Sequence, residues 1–190
     1  MGDERLRDAF AVVARSDFLR PEDRRFAETD APLGIGWGQT NSQPRTVFAM
    51  FELLDVQPGQ RVLDVGSGSG WTTALLAHLV GSGGLVVGVE LEPHLVEFGA
   101  ANLAKYDYPC ATIRQSPPDV LGAPDEAPFD RILVSAEAPT LPPALVAQLG
   151  VGGVLVIPVK SRMTRVVRVG SGLDDITVST HGLYSFVPLR

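Results

Sequence analysis

Two stretches of the chain concentrate residues able to do chemistry, and neither holds a histidine or a cysteine. The first is RVLDVGSGSGWTTALLA, where an apolar run carrying Asp64 passes through Gly66, Ser67, Gly68, Ser69 and Gly70 into a second apolar run. Glycines at 66 and 68 let backbone approach a ligand where a Cβ would clash, and a helix start beyond them offers unpaired N–H donors. In an open α/β sheet the first strand-to-helix turn is where a nucleotide-like ligand sits. The same spacing also makes a tight turn with no ligand. Glu90, followed by Leu91, lies in VGVELEP, about 20 residues past the glycines, where a carboxylate can accept hydrogen bonds from a ribose. The alternative is that it caps a helix that starts near Pro93. The second stretch is LGIGWGQTNSQP, residues 33–44, with three glycines, a tryptophan, and Thr40, Asn41, Ser42 and Gln43 before Pro44. It reads as a loop, either a plain turn or the wall of an active site. Ser42 or Gln43 suits an N-cap and Pro44 a first helical turn.

Other chemistries find little support. Cys110 is the only cysteine, so no intrachain disulfide forms, and His78, His94 and His181 stand far apart without metal-ligand spacing. The net charge is −6, and there is no dense basic run of the kind that binds a phosphate backbone. Arg5, Arg7, Arg15, Arg20, Arg24 and Arg25 alternate with acids and read as a solvated helical surface. No apolar run reaches the length of a signal peptide core or a membrane span. These features predict a soluble, cytoplasmic, monomeric protein that binds neither nucleic acid nor membrane and holds no metal.

The elements that must position the two stretches follow from periodicity. Residues 4–15 place Leu6, Phe10 and Val13 on one side of a helix, and a short helix follows near Glu22–Phe26. From Pro44, Val47, Met50, Phe51 and Leu54 recur at helical intervals. Strands are expected at 61–65, 85–91, 111–115, 129–136, 153–159, 164–170 and 184–189, with helices at 71–80, 93–106 and 141–150, the last capped by Gly150. Near-continuous apolar strands alternating with helices predict a doubly wound, Rossmann-like, mostly parallel sheet covered on both faces. The tail has strands without intervening helices, so antiparallel strands are expected at the C-terminal end. The 190 residues fit one domain: an N-terminal helical segment and loop to 44, a core over 45–159, and C-terminal strands over 160–190.

The glycine register separates cofactors. Dinucleotide folds favour G-x-G-x-x-G, whereas this chain has G-x-G-x-G after an acid-bearing strand. That combination resembles the first motif of S-adenosylmethionine-dependent methyltransferases. FLRPEDRRFAETDAPLGIGWGQTNSQPRTVFAMFELL is similar to the N-terminal signature of protein-L-isoaspartate O-methyltransferases. EAPFDRILVSAEAPTLPPALVAQLGVGGVLVIPV and SFVPL resemble later parts of the same family, so the likeness covers nearly the whole chain. It implies S-adenosyl-L-methionine as cofactor, S-adenosyl-L-homocysteine as product, and an isoaspartyl-bearing peptide or protein as substrate. It further implies Asp64, Gly66, Ser67, Gly68, Gly70, Glu90 and Leu91 as the cofactor cradle. Thr40 and Ser42 would face the methyl and the substrate carboxylate, with Gly38, Gln39, Asn41 and Gln43 along the substrate loop. Asp30 matches a position that shapes this loop.

Four departures from the family pattern stand out. RQSPPDVLG replaces the family's Gly-Asp-Gly, so Asp119 is the candidate for the adenine-binding acid. The family's Thr-Ile-Ser is Thr40-Asn41-Ser42, Gly34 replaces a proline, and Lys160 stands where glycine is common. These changes leave two alternatives beside isoaspartyl methylation: another carboxylate substrate, or a methyltransferase-like protein without activity.

Overall fold

The computed structural model describes residues 2–190. Its frame is a seven-stranded sheet in the order β5-β4-β3-β6-β7-β8-β9. The strands are β3 (Arg61–Val65), β4 (Leu85–Glu90), β5 (Ala111–Gln115), β6 (Phe129–Val134), β7 (Leu149–Val159), β8 (Arg162–Arg168) and β9 (Ile176–Leu183). Pairings among β3 to β7 are parallel, and β8 and β9 add antiparallel. Strand order reverses direction at β3, which opens a crevice at the carboxyl ends of β3 and β6.

Both faces of the sheet are covered, and the period-2 alternation shows how. Val62, Val86, Leu133, Val154 and Val156 join one core with α1 (Gly2–Val12), α2 (Pro44–Leu54) and α3 (Trp71–Val80). Leu63, Val87, Ile132, Leu155 and Ile157 point the other way, into a core with Leu145 and Val146 of α5 (Pro143–Ala147). α4 (Pro93–Leu103) packs beside α3. On α2, Val47, Met50, Phe51 and Leu54 are all buried.

The structure corrects the expected elements in four places. Residues 33–41 form a small hairpin of β1 (Leu33–Gly36) and β2 (Gln39–Asn41), not a loop. α5 ends at Ala147, because Leu149 already pairs with Phe129 and Gly150 lies inside β7. β9 was not expected, since it is an edge strand with largely exposed residues and needs no apolar alternation. Residues 184–189 form no sheet strand; their only ladder contact among the described residues is a single bridge between Glu137 and Pro188.

Candidate active site

A cavity of about 350 Å³ opens at the carboxyl ends of β3, β4, β5 and β6. Val65, Gly66, Ser67, Gly68 and Ser69 form its floor, with Glu90, Leu91 and Glu92 on one wall and Ser116, Pro118, Val120 and Leu121 on another. Trp37, Gln39, Thr40, Asn41 and Ser42 overhang it from the hairpin, and Val187–Arg190 close the remaining side. A cavity of this size suits one small-molecule ligand.

The glycine turn is shaped by what surrounds it. Gly66 has φ of +78°, and a Cβ there would meet nothing within 4 Å. Conformation, not space, therefore demands glycine at 66. At Gly70 the demand is spatial as well: with φ of +88°, a Cβ would sit 2.8 Å from the Gly99 carbonyl oxygen and 3.0 Å from Ile113 Cδ1. Gly70 lets α3 pack close to α4 and does not line the cavity, which corrects its expected place in the cradle.

Glu90 is held in one orientation by three backbone donors. Gly68 N–H donates to its Oε2 at 3.0 Å, and the Leu91 and Glu92 N–H groups donate to Oε1 at 2.8 and 3.0 Å. Glu92 is the N-cap of α4 and accepts from His94 N–H, so the helix does not need Glu90 as its cap. The fixed carboxylate keeps lone pairs available for hydroxyl donors.

Asp64 stands one layer deeper. It is fully buried and outside the cavity lining, and its Oδ2 accepts from the hydroxyls of Thr72 and Thr73, each at 2.7 Å. Burial pushes its carboxyl up to about 6, against the two threonine hydroxyls and with a smaller push from Glu90. Its Oδ1 and the buried Ser67 hydroxyl have no hydrogen-bond partner. Orphaned polar atoms at a glycine turn call for an external partner or a fixed charge opposite. The open face of Gly66, the fixed Glu90 and the orphaned Ser67 hydroxyl fit the adenosyl cofactor expected from the sequence.

The hairpin is anchored by a buried cation. Arg15, expected on a solvated surface, is 6% exposed. Its guanidinium donates to the carbonyls of Ala27, Thr29, Ala31, Asn41 and Ser42 and to Asn41 Oδ1, and it lies over the Trp71 ring. Burial lowers its pKa to about 10, against the charges of Asp30 and Glu28. Arg15 falls where the periodic helix of residues 4–15 ends, the one faint signal of this role. At the hairpin tip Trp37 stacks on His94, with ring centroids 5.1 Å apart and planes 16° from parallel.

Other predicted residues fall away from the cavity. Gly38 and Gln43 do not line it. Gln43 Nε2 instead donates to the backbone oxygen and Oδ2 of Asp30, while Asp30 Oδ1 accepts from Arg45 N–H in the first turn of α2. That backbone bond is the main cause that holds the Asp30 carboxyl below its ordinary value. Asp119 is exposed and is not part of the lining. Sequence reasoning missed Ser135, Ala136 and the segment 187–190 as lining residues. Hydrogen bonds from Glu137 N–H to Val187 and from Leu189 N–H to Glu137 bring that segment in, at 2.8 Å each. Such a pairing between distant single residues leaves no periodic trace.

Comparison with known proteins agrees with this geometry. The family model described as protein-L-isoaspartate(D-aspartate) O-methyltransferase (PCMT) matches residues 1–190. The chain is 43% identical over 191 residues to the protein-L-isoaspartate O-methyltransferase of Thermococcus onnurineus, covering 98% of this chain and 85% of that one. It is 42% identical over 187 residues to the one from Methanopyrus kandleri, covering 97% and 83%. In fold it is similar, with a TM-score of 0.81 and 24% identity, to a Plasmodium falciparum protein assigned to the same activity and crystallised with S-adenosyl-L-homocysteine. That match covers 98% of this chain and 90% of the other.

Proposed function

Because the chain belongs to the protein-L-isoaspartate(D-aspartate) O-methyltransferase family, we propose that it transfers a methyl group to the free carboxylate of L-isoaspartyl residues in damaged proteins. The observation that carries this reading is the placement of Thr40 and Ser42, uncharged hydroxyls, over the same cavity as the Glu90-anchored glycine turn. S-adenosyl-L-methionine, when bound, supplies an electrophilic methyl group on a sulfonium.

Glu90 receives the ribose hydroxyls. The Gly66–Ser69 turn carries the amino-acid part of the cofactor. Pro118, Val120 and Leu121 provide an apolar wall for the adenine, in place of the acid that the family uses. The substrate carboxylate is ionised near pH 7, so no general base is needed. Thr40 and Ser42 donate hydrogen bonds that orient it without the tight hold of an arginine, and the hairpin excludes water above it. Alignment and desolvation of this kind are the main means left to lower the barrier. In the methyl ester the amide nitrogen of the following residue attacks the ester carbonyl and methanol departs, carrying the amide proton, where a carboxylate has no comparable group to expel. The resulting succinimide hydrolyses to return part of the material as normal aspartate.

The test is calorimetric titration with S-adenosyl-L-homocysteine, then methyl transfer to an isoaspartyl peptide beside its aspartyl twin. Binding with ester formed only on the isoaspartyl peptide is expected. Binding without transfer would redirect the site to a different carboxylate. Absence of binding would remove the methyltransferase reading.

A further inference from the structure

Asn41 sits between Thr40 and Ser42 at the cavity, and both polar atoms of its side chain are taken by protein partners. It is 5% exposed. Arg15 Nε donates to its Oδ1 at 2.7 Å, and its Nδ2 donates to Ser69 Oγ at 3.1 Å. A guanidinium can only donate, so the amide oxygen must face Arg15 and the amide N–H must face Ser69. Ser69 is itself 3% exposed and belongs to the glycine turn on the cavity floor. Asn102 Nδ2 donates to the Ser69 carbonyl at 3.0 Å, which fixes that end from α4.

We propose that Asn41 is a positioning residue that locks the hairpin carrying Thr40 and Ser42 to the cofactor turn, so that the methyl donor and the acceptor carboxylate are held in one register. An isoleucine at position 41, as in the Thr-Ile-Ser of the family resemblance, has no side chain able to make this bond. An apolar residue at 41 would leave Arg15 Nε and Ser69 Oγ without their partner, and buried groups left so are costly. Two small elements 28 residues apart, which also pack through Ile35 against Gly68, gain a direct polar link. The consequence for transfer rests on the proposed function. The mechanical link does not.

The experiment compares wild type with Asn41→Ala, Ser69→Ala and the double variant. Backbone hydrogen exchange is read first. The expected result is that amides of 33–41 exchange about tenfold faster in each single variant, while amides of β3 and β6 are unchanged. Ser69→Ala spares the Arg15 bond and so guards against a simple folding defect. The double variant should exchange no faster than Asn41→Ala alone, because both changes break the same bond. For Asn41→Ala, calorimetry should find S-adenosyl-L-homocysteine binding within about threefold of wild type, while kcat with the isoaspartyl peptide falls about tenfold. Unchanged hairpin exchange in the single variants, or additive effects in the double, would overturn the lock. Equal losses in cofactor binding and kcat would also overturn it, since Asn41 would then serve the cofactor alone. If wild type itself does not methylate the peptide, the functional reading fails and the exchange data still decide the lock.

Discussion

Replacing Asp64 with asparagine should change how stability depends on pH more than it changes stability itself. The folded protein holds this buried carboxyl at about 6, whereas its ordinary value is 3.8. A raised acid value means the folded state binds the proton more tightly than the unfolded chain, so stability is greatest below 3.8 and is lost as pH rises through 6. At about 1.4 kcal/mol per pH unit of separation, ionising Asp64 costs the fold roughly 3 kcal/mol in full, of which about 2 kcal/mol falls between pH 4.5 and 7.5. Asp64→Asn keeps an oxygen for the Thr72 and Thr73 hydroxyls and removes the charge. Urea unfolding of both proteins at several pH values isolates the term, because all other carboxylates cancel in the difference. The variant should gain about 2 kcal/mol relative to wild type on going from pH 4.5 to pH 7.5. Parallel curves for the two proteins would refute the reasoning. We expect the stabilised variant, which lacks the buried charge, to bind S-adenosyl-L-methionine more weakly, a loss that calorimetry would register.

Three further outcomes follow from the site. Ser42→Ala should leave cofactor affinity unchanged and slow transfer about tenfold, the effect of one lost hydrogen bond at the acceptor; full turnover in steady-state kinetics would remove Ser42 from the mechanism. Gly70→Ala places a Cβ 2.8 Å from the Gly99 carbonyl oxygen at a φ of +88°. It should destabilise the fold by roughly 2 kcal/mol or more, seen as a lower urea midpoint, and a neutral result would show that α3 and α4 can separate freely. Trp37→Ala removes the stack on His94 and should weaken S-adenosyl-L-homocysteine binding up to about tenfold, a loss that calorimetry would register and that an inert hairpin tip would not give.

How much of this could be read from the chain is clearest at particular residues. The core strands were legible because each lies buried on both faces and so reads as an apolar run, as RVLDV and FDRILV do. β9 was not, because an edge strand with solvent on both sides carries no pattern. The glycine turn and Glu90 were legible because a tight turn and a carboxylate at a strand end are local requirements. The choice between ribose ligand and helix cap for Glu90 was not local. The structure decides only the cap, which Glu92 takes through His94 N–H and which depends on the path of β4 into α4.

The amino-acid sequence by itself determined the fold class, the position of the cofactor turn and the membership of a methyltransferase family, because these depend on periodicity and on short motifs. Tertiary structure alone decided that Arg15 is an internal anchor and not a surface charge, that Asn41 bonds both Arg15 and Ser69, and that Asp119 stays outside the cavity while residues 187–190 enter it. Each of those depends on which distant partner reaches a polar group first. A charged or amide side chain is the same in sequence whether water or six protein acceptors surround it, and burial is settled only when the chain has closed around it.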